Sequence, residues 1–152
     1  MKKLILEDVN RSNDHKIFLF EIYQKRKEND RISSPIDLSF EEHCRFINEH
    51  PYRYWFLVKE TGVYIGTLNI SNENSIGVQL LESHHSYFEV LINQVLEVYK
   101  PLPGIPSVRS SNFIVNISPN NNRLETVLQK MGANCIQKTF KLVKNENAKI
   151  SD

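Results

Sequence analysis

Glycine is scarce, at five in 152 residues. None falls in a G-x-G-x-x-G or G-x-x-x-x-G-K-[ST] pattern, so dinucleotide and Walker-type phosphate sites lack their signatures. Cysteine is scarcer: Cys44 and Cys135 stand alone and far apart. No C-x-x-C or Cys/His cluster at zinc spacing accompanies them, so neither a disulfide framework nor a metal site is expected. A reduced, cytoplasmic setting is the simpler reading. No apolar run approaches the ~20 residues that span a bilayer. The apolar start Leu4-Ile5-Leu6 is ended by Glu7 and Asp8, too early for a secretory signal. Neither secretion nor membrane insertion is expected. An excess of one charge is missing too: 19 Lys+Arg face 18 Asp+Glu, a net of +1. That argues against a dedicated nucleic-acid binder, whose footprint is a basic surplus.

What is present fits one ordinary domain. Forty per cent of residues are hydrophobic and 24% charged, and a chain of this length can bury a core without a staple. Leu4 to Val9 reads as a first strand. A helix follows from the polar stretch Asn10–Asp14, with Phe18, Leu19, Ile22 and Tyr23 on one side. Asn29–Leu38 reads as a loop. Ser39-Phe40-Glu41-Glu42 is a capping box opening a helix that buries Phe40, Cys44 (or His43) and Ile47. Tyr54–Val58, Val63–Ile70 and Ser75–Leu81, joined by short turns, form an antiparallel meander. Tyr87–Tyr99 carries the strongest helical period, with Ser86–Glu89 as a second capping box. Pro101, Pro103 and Pro106 stiffen the loop after it. Asn112–Ile117 is a strand. Leu124, Val127, Leu128 and Met131 mark a helix ended by Gly132, and Ile136–Leu142 alternates as a last strand. The order is βααβββαβαβ in an α/β fold of the α+β type, a mixed sheet flanked by helices. One domain spans residues 1–143, and 144–152 is a polar, frayed tail.

This order, together with Asn116-Ile117-Ser118-Pro119-Asn120-Asn121-Asn122-Arg123-Leu124 running on to Lys130-Met131-Gly132, resembles the GCN5-related N-acetyltransferases (GNAT). Trp55–Val58, Ile65–Leu68 and Ile76–Leu80 are similar to that family's second to fourth strands. The resemblance implies an N-acyltransferase moving an acetyl group from acetyl-CoA to a primary amine on a small molecule or peptide. Asn121 takes the place of the family's cofactor-contacting asparagine, and a fourth-strand amide at Gln79, Leu80 or Leu81 that of the donor to the thioester carbonyl. The family often pairs through sheet edges or helices, so a homodimer is admitted, although no self-complementary stripe is readable.

The chain departs from the family where pyrophosphate is usually wrapped by glycine amides. Glu82-Ser83-His84-His85-Ser86-Tyr87-Phe88 has no glycine, and side chains restrict close phosphate approach. Leu124 stands for a frequent serine, Leu128 near a common tyrosine, and Ala133 for phenylalanine. Ser86 lies at the helix start that would face the phosphates. Candidate bases are Glu82 at the end of the fourth strand and His84, with His85 beside it and Glu73 in a polar turn. Each also suits a solvated loop or cap, the commoner place for such side chains. Tyr52 and Arg53, with Arg31–Asp37, are candidates for an acceptor groove. Two rival readings stay open. One is a GNAT-like binding module without catalysis, motivated by the missing glycine loop. The other is a different acyl-CoA donor.

Overall fold

The computed structural model describes residues 3–25 and 38–144. Residues 26–37 and those from 145 onward lie outside the described residues, and with them most of the expected Asn29–Leu38 loop, the Arg31–Asp37 candidate and most of the expected frayed tail.

Five strands form one sheet in the order β1-β2-β3-β4-β5: β1 (Ile5–Asp8), β2 (Tyr54–Glu60), β3 (Val63–Ile70), β4 (Ser75–Leu80) and β5 (Ile114–Val115). The first four are antiparallel neighbours, and β5 runs parallel to β4. The helices are α1 (Asn13–Gln24), α2 (Phe40–Asn48), α3 (Phe88–Val98) and α4 (Asn122–Lys130). Strand alternation divides the core in two. Trp55 and Leu57 point to one face and pack with Val9, Leu19, Ile22 and Ile47, which come from α1, α2 and the chain after β1. Val58, Leu68, Ile70, Ile76 and Leu80 join Leu91 and other α3 residues in the other cluster.

Local signals explain most boundaries. Ser12 caps α1 by accepting from the His15 amide. The Ser39–Glu42 capping box forms in both directions. Behind it, however, His43 and Ile47 are the buried residues of α2, while Phe40 is exposed and Cys44 half-buried. His43 is buried against Phe20 and Tyr23 of α1, while Phe40 at the start of the helix touches Phe20 and stays exposed. The second expected capping box does not form. The chain approaches α3 through a 3₁₀ turn, Glu82–Tyr87, and Tyr87 at the cap already has helical backbone angles with no side-chain cap. Ser86 therefore sits inside the turn instead of at an extended N-cap.

At the far end, β5 is shorter than the expected Asn112–Ile117. Residues 133–144, which hold the expected last strand, join no ladder among the described residues. Cys135, within this stretch, is exposed.

A polar cluster ties β1, β3 and α1 together at one end of the sheet. Tyr64 Oη donates to Glu7 Oε1 at 2.7 Å, and His15 Nε2 lies 2.8 Å from Tyr64 Oη. The Tyr64 hydrogen bond, supported by the Lys59, His15 and Arg11 charges, holds the Glu7 carboxyl below its ordinary range. Burial and the Glu7 carboxylate push the Tyr64 phenol up to about 12. A lowered carboxyl contributes stability above its unfolded pKa and loses it as pH falls through the folded value. A raised phenol contributes below its unfolded pKa and loses it as pH rises through about 12. The pair therefore stabilises the fold between those limits. Urea midpoints should fall as pH drops below the ordinary glutamate range, and Tyr64→Phe should flatten that slope. An unchanged slope would assign the acid sensitivity to other carboxylates.

Candidate functional site

The sheet opens between β4 and β5. Only Ser75↔Ile114 and Ile76↔Val115 are paired, while β4 continues to Leu80. The two strands part beyond Ile76, leaving one side of β4 without a partner strand among the described residues.

Register shows which amides face that opening. Ser71 N–H donates to the Ser75 carbonyl at one end of the β3–β4 pair, and Leu81 N–H donates to the Ile65 carbonyl at the other. In an antiparallel pair such positions alternate along the strand. Ser75, Gly77, Gln79 and Leu81 thus turn their backbone groups to β3, and Val78 and Leu80 turn theirs to the opening. Of the three positions singled out from sequence, Leu81 is bonded within the sheet, Gln79 faces β3, and Leu80 faces the cleft. The Gln79 side chain donates to the Ile22 carbonyl of α1 at 3.2 Å, on the other face. Gly66 lies against this strand: a Cβ there would sit 2.2 Å from the Gln79 carbonyl oxygen, so only glycine permits the observed β3–β4 approach.

The glycine-free turn at the end of β4 is held by side chains. Arg123, in the first turn of α4, donates through Nη1 to His85 Nδ1 and through Nη2 to Glu82 Oε1 at 3.2 Å. His85 Nε2 in turn donates to the Leu80 carbonyl at 3.0 Å. These two partners assign His85 as the Nε2–H tautomer, with both ring nitrogens used. His84 points elsewhere. Its Nδ1 is 2.9 Å from Ser83 Oγ and its Nε2 is 3.9 Å from Glu60 Oε2 at the end of β2. Tyr87 stacks on His84 and donates to Glu60 Oε1 at 2.7 Å. The adjacent histidines therefore serve two different clusters.

Asn121 is the N-cap of α4, its Oδ1 accepting from the Leu124 amide at 3.3 Å. This places the start of α4, and Arg123 with it, beside the turn that follows β4. Ser86 and Glu73 are exposed. Tyr52 packs on Trp55, and Arg53 donates to the Lys100 carbonyl. Among the described residues no group of three His, Cys, Asp or Glu side chains is placed to hold a metal ion. Nor is any described helix long and apolar enough to cross a membrane.

Sequence reasoning missed two residues. Arg123 lies inside the motif that carried the resemblance but was given no role, because its reach to Glu82 spans 41 positions. Asn74 is fully buried with φ +64°. Its side chain donates to the Leu102 and Ser110 carbonyls and accepts from the Leu102 amide, and its carbonyl accepts from Ile114 N–H. One asparagine thus fixes the proline-rich loop and the start of β5. The only signal in the sequence was its place in a turn, where asparagine tolerates a left-handed backbone.

No family model matches the sequence, and no curated protein matches it. Solved structures do. The Campylobacter jejuni N-acetyltransferase PseH in complex with acetyl coenzyme A is 18% identical, with a TM-score of 0.61 over 90% of this chain and 92% of that one. AAC(6')-Iy in complex with the bisubstrate analog CoA-S-monomethyl-acetylneamine is 16% identical, with a TM-score of 0.56 over 94% and 97%. A domain from Methanocaldococcus jannaschii is 17% identical, with a TM-score of 0.65 over 90% and 92%. The fold of this chain is that of the GCN5-related N-acetyltransferases.

Proposed function

We propose that this protein is an N-acyltransferase that carries an acetyl group from acetyl-CoA to a primary amine. The observation that carries the reading is the parting of β4 from β5 with the Leu80 amide turned into the gap. A thioester carbonyl seated there would meet a fixed backbone donor, which stabilises the oxyanion without depending on side-chain identity. The amine attacks the carbonyl carbon, the thiolate leaves, and the amine's proton passes to a base.

Arg123 takes the part that glycine amides play elsewhere in the fold. A guanidinium binds phosphate oxygens through paired donors, and it needs no left-handed backbone in the turn. In this reading Glu82 is the counter-ion that keeps Arg123 in place until phosphate competes for it. His84 is the proton acceptor, directly or through a water. Asn121, by capping α4, holds Arg123 at the cofactor. The acceptor is a small-molecule or peptide amine.

Calorimetric titration with acetyl-CoA tests this directly. Binding is expected at roughly micromolar Kd, about −8 kcal/mol. Arg123→Ala should weaken it about tenfold or more, roughly 1.4 kcal/mol. Glu82→Gln should leave it equal or tighter, because the arginine loses its competitor. No heat up to ~1 mM, weaker than about −4 kcal/mol, in a folded sample would sink the proposal.

One observation favours a second reading. The Glu82–Arg123–His85 contacts already fill the turn where a pyrophosphate would lie, as they would in a GNAT-like module that binds a partner and catalyses nothing. Turnover with any amine would exclude it. A donor other than acetyl-CoA is separated from both by ranking acyl-CoA affinities, since a steady gain with chain length would favour it.

A further inference from the structure

Beyond Ile76↔Val115 no backbone ladder joins β4 to β5 among the described residues. The two sides of the gap meet again through side chains. Arg123, in the first turn of the helix that follows β5, donates to His85 Nδ1. His85 Nε2 donates to the carbonyl of Leu80, the last residue of β4, at 3.0 Å. A guanidinium has donors and no acceptor, so Nδ1 must be the accepting nitrogen and Nε2 the one that carries the proton. The bridge therefore runs in one direction, from α4 to the end of β4.

What the bridge ends on matters more than that it exists. In an antiparallel pair one residue turns its N–H and its C=O to the same edge, so Leu80 presents both to the gap. Leu80 is 7% exposed, and a carbonyl without a donor there would carry the cost of a buried hydrogen bond left unmade. Its partial negative charge would also stand on the edge where the Leu80 amide meets a thioester oxygen. Negative charge grows on that oxygen as an amine attacks, and a site that stabilises it presents donors, not a bare acceptor. His85 removes the conflict by occupying the carbonyl. The next amide, Leu81 N–H, is held by the Ile65 carbonyl at 2.9 Å. Both ends of the Leu80–Leu81 peptide are thus bonded, and Leu80 is fixed from its C-terminal side.

We infer that His85 is a positioning residue of the thioester site: oriented by Arg123, it occupies the Leu80 carbonyl and leaves the Leu80 amide, alone of the two groups, available to the thioester oxygen. The inference rests on the acyltransferase reading. Arg123 then serves twice. Nη1 orients His85, and Nη2, which now meets Glu82, is the donor a phosphate would take over, so gripping the cofactor leaves the bridge intact. His84 cannot replace its neighbour, because its ring faces Ser83 and Glu60.

The test uses the full chain and acetyl-CoA isotopically labelled at the acetyl carbonyl. Difference infrared spectra of the bound molecule report how strongly that carbonyl is polarised. In the parent protein its band should lie below that of free acetyl-CoA. His85→Leu keeps the bulk and loses both hydrogen bonds. It should return the band toward the free position while acetyl-CoA affinity stays within about threefold. His85→Gln carries an acceptor for Arg123 and a donor for the Leu80 carbonyl on one amide, and should keep the low band. A low band that survives His85→Leu would overturn the inference. So would a His85→Gln variant that fails to bind, or that binds with the band at the free position. If His85→Leu does not fold, His85→Gln and the ring itself decide: nitrogen-edited NMR of the neutral imidazole should show Nε2–H, and an Nδ1–H tautomer would overturn the inference. No acetyl-CoA binding by the parent would sink the acyltransferase reading and this inference with it, whereas binding with a band indifferent to His85→Leu would sink this inference alone.

Discussion

Trp55→Ala is expected to destabilise the protein by about 3–5 kcal/mol, the usual cost of deleting a large buried aromatic side chain. The indole is fully buried at the centre of the cluster under α1 and α2. Tyr23, Phe46, His50 and Tyr52 all approach it edge-on, with centroids 5.3–6.2 Å away. The site is walled by four rings anchored on α1, α2 and the chain between α2 and β2, which limits how far it can collapse. Its Nε1 also donates to Thr67 Oγ1 at 2.9 Å, and that hydroxyl donates on to the Phe56 carbonyl. Trp55→Phe keeps much of the volume and loses the indole hydrogen bond, so it should cost about 1–3 kcal/mol, the worth of a packing change with one lost bond. Domains of this kind have about 5–15 kcal/mol in total, so the alanine variant will sit near its threshold. Urea unfolding must be followed by circular dichroism, because Trp55 is the only tryptophan. A midpoint shift worth less than about 1 kcal/mol would mean that the aromatic ring relaxes far more readily than cavity-forming sites usually do.

Elements whose signal is local were legible. The Ser39–Glu42 box, the meander from Tyr54 to Leu80, the apolar stripe of α3 and the glycine after α4 all rest on contacts within a few positions. Where the reading failed, a distant partner had decided the outcome. From sequence, Cys44 and His43 are both open as the buried residue of α2, and packing against Tyr23 and Phe20 selects the histidine, while Phe40, at the start of the helix, stays exposed. Ser86 has the residues of a cap but not the backbone, because the preceding 3₁₀ turn is set by the end of β4. The final strand has the alternation but no ladder, since pairing needs a partner that sequence period cannot name.

The site divides in the same way. The segment from Asn116 to Gly132 marked the fold and located Asn121 at the start of α4. The geometry of the cleft was illegible, because it depends on where β5 stops. The absence of glycine between Glu82 and Phe88 pointed to an altered phosphate grip. What occupies that place, the Arg123 guanidinium bridging Glu82 and His85, joins residues about forty positions apart.

Asn74→Ala should have the second large effect, and should act on both stability and the cleft. The side chain is fully buried and makes three bonds of 2.7–2.8 Å, two to carbonyls and one from an amide. Removing it leaves the Leu102 amide and two carbonyls short of partners in a partly buried loop, at about 1–3 kcal/mol for each one that water does not reach. Alanine also carries a left-handed backbone penalty of roughly 1–2 kcal/mol at φ +64°. With one of the three groups left dry, the two causes together come to about 2–5 kcal/mol. Asn74→Gly separates them: it relieves the backbone cost and keeps the hydrogen-bond loss, so it should fall about 1–2 kcal/mol short of the alanine variant. The functional consequence comes from what those bonds anchor. With the Asn74 side chain gone, the loop carrying Leu102 and Ser110 is released, and β5, which follows that loop, keeps only the backbone bond from Ile114 N–H to residue 74 and its two ladder pairs. The gap facing Leu80 is defined by the register of β5. Acetyl-CoA affinity should therefore fall in Asn74→Gly even at temperatures where the variant is fully folded, whereas Trp55→Phe, on the opposite face of the sheet, should leave affinity unchanged. Equal affinity in Asn74→Gly and the parent protein would mean that β5 is positioned by its contacts with α3 and α4, and that the asparagine serves the loop alone.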